Sequence, residues 1–145
     1  MNSTGGFLTR MTGAALTALI LLAAGCSASD GMELAEQAVP RFHKMLDAGQ
    51  FDEIYAESAS DLKKATTRED FVALLDAVHR KLGPKKTSTR QGWKVDYNTS
   101  GSFVTLSYAT TYTQGEAVEQ FVYRLHDNKA SLVGYHINSN ALIIN

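Results

Sequence analysis

The order of apolar and polar residues changes character three times along the chain. Residues 11–22, MTGAALTALILL, form an apolar run. Beyond residue 30 the spacing becomes helical. Ala35, Val39, Phe42 and Leu46 recur every three or four positions, and Gly49 ends the series. Asp30 with Glu33 resembles a capping box and predicts a helix start at Asp30. Pro40 lies inside that pattern and predicts a kink near residues 36–40. Residues 51–58 predict a second, short helix with Asp52 at its start. Thr67 and Asp70 frame a third start, and Phe71, Leu74, Leu75, Val78 and Leu82 form its apolar stripe before Gly83 and Pro84.

After Pro84 the period becomes two. Trp93, Val95 and Tyr97 alternate with Lys94, Asp96 and Asn98. Val104, Leu106, Tyr108, Thr110 and Tyr112 define the face of a long strand, and Phe121, Tyr123 and Leu125 that of the next. Val133, Tyr135 and Ile137 complete a fourth. The connecting segments NTSG (98–101), QGEA (114–117) and DNK (127–129) are short, which predicts an antiparallel meander. Helices first and strands second predict an α+β domain over residues 31–140, about three helices packed on one face of a four-stranded sheet, followed by a tail at 141–145.

Charge is nearly balanced, with Lys+Arg 14 against Asp+Glu 15. A nucleic-acid partner calls for a basic excess, and there is none. The densest basic patch, KLGPKK (81–86), falls at a predicted helix end, where lysines complement the helix dipole.

The single cysteine, Cys26, forms no internal disulfide and no multi-cysteine zinc site. It follows the apolar run directly, after Ala23, Ala24 and Gly25, and Arg10 is the only charge before it. This is the order of an export signal, and the run is shorter than the ~20 residues of a membrane span. The segment resembles the bacterial lipoprotein signal, in which small residues precede an obligatory cysteine, with Ala23 where leucine is commonest. A plain secretory signal cut near Ala24 or Ala28 is the alternative. The resemblance implies removal of residues 1–25 and attachment of fatty acyl chains such as palmitate to Cys26. It also implies residence in the cell envelope and, in a Gram-negative cell with Ser27 after the cysteine, outer-membrane delivery. Each acyl CH₂ contributes ~0.8 kcal/mol, so two or three chains anchor firmly. In the short tether 26–30 only Ser27, Ala28 and Ser29 separate Cys26 from Asp30, which at about 3.5 Å per residue places the domain within roughly 10–15 Å of the lipid. Without Arg10 the 14 cations become 13 against 15 acids, a formal −2 that gives no attraction to anionic headgroups.

The segments AEQAVPRFHKMLDAGQFDEIYAESAS (35–60), TTREDFVALLDAVHRKLG (66–83) and LVGYHINSN (132–140) resemble domain-of-unknown-function family 4019. The element order also resembles the cystatin-like, nuclear-transport-factor-2-like fold, with a curved sheet. That fold implies a pocket between sheet and helices and dimerisation through the sheet. The run FVTLSYATTYT (103–113) suits a homodimer surface.

Enzymes of that fold place an acid in an apolar pocket. Glu119 shares parity with Phe121 but lies near a turn, so a rim position is expected; Asp96 lies on the face opposite Trp93. His43 and Asp47, four apart on one helix, are expected to touch at the surface. His126 and His136 are not adjacent, and no HExxH motif, nucleophile elbow or phosphate-binding loop occurs. No catalytic, metal or cofactor set is assigned. Trp93, Tyr97, Tyr108, Tyr112, Tyr123 and Tyr135 all fall on strands, as core packing or as the lining of a pocket or interface. The expectation is a lipid-anchored, non-enzymatic binding or interaction module. Its partners are the membrane through Cys26, and an envelope protein or small ligand. A small-molecule pocket protein and a dehydratase- or isomerase-type enzyme are the alternatives.

Overall fold

The computed structural model describes residues 28–144. Cys26 and the apolar run before it lie outside the described residues. The elements are α1 (Ala28–Asp47), α2 (Phe51–Glu57), α3 (Ser60–Ala65) and α4 (Arg68–Leu82), then β1 (Lys85–Asn98), β2 (Gly101–Tyr112), β3 (Gly115–His126), β4 (Lys129–Asn138) and α5 (Asn140–Ile144). The four strands form one antiparallel sheet in the order β1-β2-β3-β4. The domain is therefore α+β, with α1–α4 preceding the meander and the short α5 following it.

Helix α1 begins at Ala28, two residues before Asp30, and continues unbroken through Pro40, whose ring is exposed. Its inner face buries Ala35, Val39, Phe42, His43 and Leu46. Thr67 caps α4: its Oγ1 accepts from the Asp70 N–H at 3.1 Å and donates to the Asp70 carboxylate at 2.8 Å. Phe71, Leu75, Val78 and Leu82 are buried, while Leu74 of the predicted stripe is 38% exposed. Helices α3 and α5 are additions to the predicted set. The segment entering α3 closes the β4 edge, where the Ala59 N–H donates to the Leu132 carbonyl at 2.8 Å.

Strands β1 and β2 are joined by the turn at 99–100, where the Asn98 side chain accepts from the Ser100 N–H at 2.8 Å. Asp127 and Asn128 have φ of 50° and 54°, the left-handed pair of a tight two-residue hairpin. The fourth strand departs from simple alternation. Val122 pairs with Gly134 and Tyr123 with Leu132, so Val133 is an extra residue in a bulge. The bulge puts Leu132 and Tyr135 on the core face, and Val133 does not share it.

The core centres on Phe121. Its ring meets Phe42 at 5.1 Å and Tyr135 at 5.2 Å between centroids, and lies parallel to Tyr123 at 6.2 Å.

Candidate functional site

The inner face of the sheet carries a carboxylate at its centre. Glu119 is fully buried, not at a rim, because the turn is only residues 113–114: Gly115, Glu116 and Ala117 of the predicted QGEA turn are already β3, and His43 of α1 covers the carboxylate. Four groups surround it. His43 Nε2 lies 2.8 Å from Oε2 and Thr110 Oγ1 donates to the same oxygen at 2.5 Å. Tyr112 and Tyr135 donate to Oε1 at 2.8 and 2.7 Å. Ser88 Oγ, 2.9 Å from Thr110 Oγ1, extends the network to β1. One carboxylate thus joins α1 to all four strands.

The register explains the convergence. Thr110 and Tyr112 stand on the inner face of β2, and Ser88 is directly opposite Thr110 across β1. Tyr135 is diagonal to Glu119 across β3–β4, on the face set by the bulge. His43 belongs to the apolar stripe of α1 and points into the sheet. It does not meet Asp47, whose Oδ1 accepts from the Lys85 N–H at 3.1 Å instead.

Burial alone would raise the Glu119 carboxyl. The hydrogen bond and charge of His43, with the Thr110 and Tyr135 hydroxyls, outweigh it and hold the group below the ordinary carboxylate value. The same burial and the Glu119 charge push the Tyr112 and Tyr135 phenols far above theirs, so both remain donors. All four strong acceptor directions of the carboxylate are filled.

Cavities indent the surface, among them three that border the sheet. The first, about 430 Å³, lies between α1, α2 and the β3–β4 hairpin and is bordered by Phe42, Ile54, Tyr123 and Leu132. The second, about 460 Å³, lies at the start of α1 between Asp30, Gly31, Tyr97 and Leu125. The third, about 370 Å³, is bordered by Thr110, Ala117 and Ser139. Neither Glu119 nor His43 borders any of the three. Thr110, which donates to Glu119, is the member of the network that borders the third.

The six aromatic candidates do not form one site. Tyr112 and Tyr135 belong to the Glu119 network, and Tyr123 lines the first cavity. Tyr108 is partly buried, edge-on to Phe121 at 6.0 Å. Trp93 and Tyr97 are 60% and 62% exposed on the edge strand β1, and Tyr97 lines the second cavity beside the start of α1. Asp96 pairs with Lys94 at 2.8 Å, and His136 is exposed. Among the described residues no group of three or more His, Cys, Asp or Glu side chains is placed to hold a metal ion, and no helix is long and apolar enough to cross a membrane.

Sequence reasoning missed His43 and Glu119 as a pair. The available signal was the parity of Glu119 with Phe121 and the helical phase of His43 with Val39 and Leu46. Either one alone points inward.

An α+β domain of helices followed by a four-stranded meander, organised round a buried carboxylate, is the class that fold and site define. The model of the family described as "Protein of unknown function (DUF4019)" matches residues 38–135, and the chain belongs to that family. The match takes in His43, Thr110, Tyr112, Glu119 and Tyr135. No curated protein matches the chain.

Proposed function

We propose that the chain is a lipid-anchored protein of the cell envelope, tethered through Cys26, whose domain acts by binding a partner or small ligand. The observation that carries this reading is the placement of Cys26 directly after Ala23, Ala24 and Gly25 at the end of an apolar run. The start of α1 at Ala28 supports it as well. An anchor on Cys26 leaves almost no linker, so the α1 end of the domain rests close to the bilayer. We read the fold as cystatin-like, of the nuclear-transport-factor-2-like kind, from the order of helices before the meander. Exposed Trp93 and Tyr97 on an edge strand suit a protein contact, a second copy included.

Metabolic labelling with an alkyne-tagged fatty acid tests the anchor. Label is expected on the wild-type chain and absent from Cys26→Ala, which also leaves the membrane fraction. An unlabelled wild-type chain sinks the reading.

A further inference from the structure

The first cavity, bordered by α1, α2 and the β3–β4 hairpin, measures about 430 Å³. That volume lies in the range of small-molecule sites, about 300–1,000 Å³. Leu34, Ala38, Met45, Ile54 and Leu132 give it an apolar lining. Leu34, Ala38, Arg41 and Met45 follow one another along α1 at spacings of four, three and four, so they form one stripe. At 1.5 Å per residue the stripe is about 16 Å long. A wall of that shape suits a linear chain better than a compact ring system.

Three charged side chains line the same cavity: Arg41, Glu57 and Lys129. Arg41 and Glu57 pair across α1 and α2 at 2.6 Å and neutralise each other. Lys129 is exposed and forms no ion pair among the described residues. It also borders the second cavity, as do Asp30 and Asp127, but neither acid lines the first, and Asp127 lies 2.9 Å from His126 Nδ1. One positive charge is therefore left over on the wall of the first cavity. Leu34, Asn128 and Lys129 border both cavities, which puts that charge at the Leu34 end of the stripe.

We propose that this cavity binds a medium-chain aliphatic carboxylate, its chain laid along the α1 stripe and its carboxylate held by Lys129 at the Leu34 end. Burial of the chain supplies the affinity, and the ammonium selects the head group. The proposal rests on the reading of the domain as a small-ligand binder and not on the Cys26 anchor, which the fatty-acid labelling decides separately.

Octanoate, octanamide and octylammonium share one chain and differ in the charge of the head group. Each is titrated by calorimetry at neutral pH into the full chain in detergent micelles, where partition into the micelle is common to every variant and cancels between them. Wild type is expected to take up a single octanoate and to prefer it about threefold over octanamide, the effect of one exposed ion pair, with octylammonium weakest. Lys129→Glu reverses the charge and should weaken octanoate about tenfold while leaving octanamide unchanged. Glu57→Gln removes the acid that neutralises Arg41 and should tighten octanoate about threefold, a gain that misfolding cannot produce. Glu57 lines the first cavity and not the second, so that gain also locates the site. A loss in Lys129→Glu without the gain in Glu57→Gln puts the anion in the second cavity and overturns the proposal. Octanoate binding unchanged in Lys129→Glu overturns it too. Octanamide bound as tightly as octanoate sinks the carboxylate but leaves the small-ligand reading standing, whereas a chain that binds none of the three sinks both.

Discussion

His43 on α1 and Glu119 on β3 stand 76 positions apart in the chain and meet at 2.8 Å, both excluded from solvent. A buried pair of this kind is costly to break by halves, because the surviving partner is left polar and uncompensated. His43→Ala and Glu119→Ala are each expected to destabilise the domain by about 3–5 kcal/mol. The double variant should lose less than the sum, because the two act as one unit. Urea denaturation of the four proteins of the cycle measures both quantities, and additive losses would remove the coupling.

Three buried tyrosines on one sheet face should respond differently to the same deletion. Tyr112→Phe and Tyr135→Phe each remove a hydrogen bond to a carboxylate, worth about 1.5–3 kcal/mol. Tyr123→Phe removes a hydroxyl with no partner and should be neutral or stabilising in the free protein. Thermal unfolding of the three variants orders them directly. A loss at Tyr123 as large as at Tyr135 would contradict the contrast.

Acid should act through Glu119. Its folded carboxyl titrates below the ordinary value of 4.5 that it regains on unfolding. The unfolded chain therefore binds the proton first as pH falls. The contribution is complete above 4.5 and disappears as pH drops through the lower folded value. Asp61 acts in the same direction, held low chiefly by the hydrogen bond from Arg124. Glu119→Gln should lie below wild type at neutral pH, with the gap narrowing below 4.5. Unfolding free energies measured from pH 7 to 3 test this, and a constant gap would contradict it.

Gly83 joins the last helix before the sheet to β1 with φ 71° and ψ −169°, a region open essentially to glycine. A Cβ there would also lie 2.1 Å from Thr113 Oγ1. Gly83→Ala is expected to cost about 1–3 kcal/mol from the backbone alone. A melting temperature equal to wild type would show that the turn can rearrange.

Element types were legible in the sequence because each carries its own period. The phases of α1 and α4, the Thr67 cap and the DNK turn are local properties, and local residues specify them. The faces of β4 were not legible. The alternation of Val133, Tyr135 and Ile137 runs straight through the bulge, and only the pairing of Tyr123 with Leu132 reveals it. The site was hidden for a related reason. His43 has Asp47 at contact spacing, whereas its actual partner comes from the third strand. An acid near a turn reads as exposed until the helix that covers it is placed. Trp93 and Tyr97 show the opposite error, since aromatic alternation signals a strand but not what lies over it.

Trp93 is the only tryptophan, and it lies 60% exposed on the β1 edge, two strands from Phe121. Its indole emission should already be red-shifted in the native state and change little when the core melts. Intrinsic fluorescence excited at the tryptophan band is thus nearly blind to unfolding of this domain. It becomes a sensitive optical reporter of whatever comes to rest against the β1 edge.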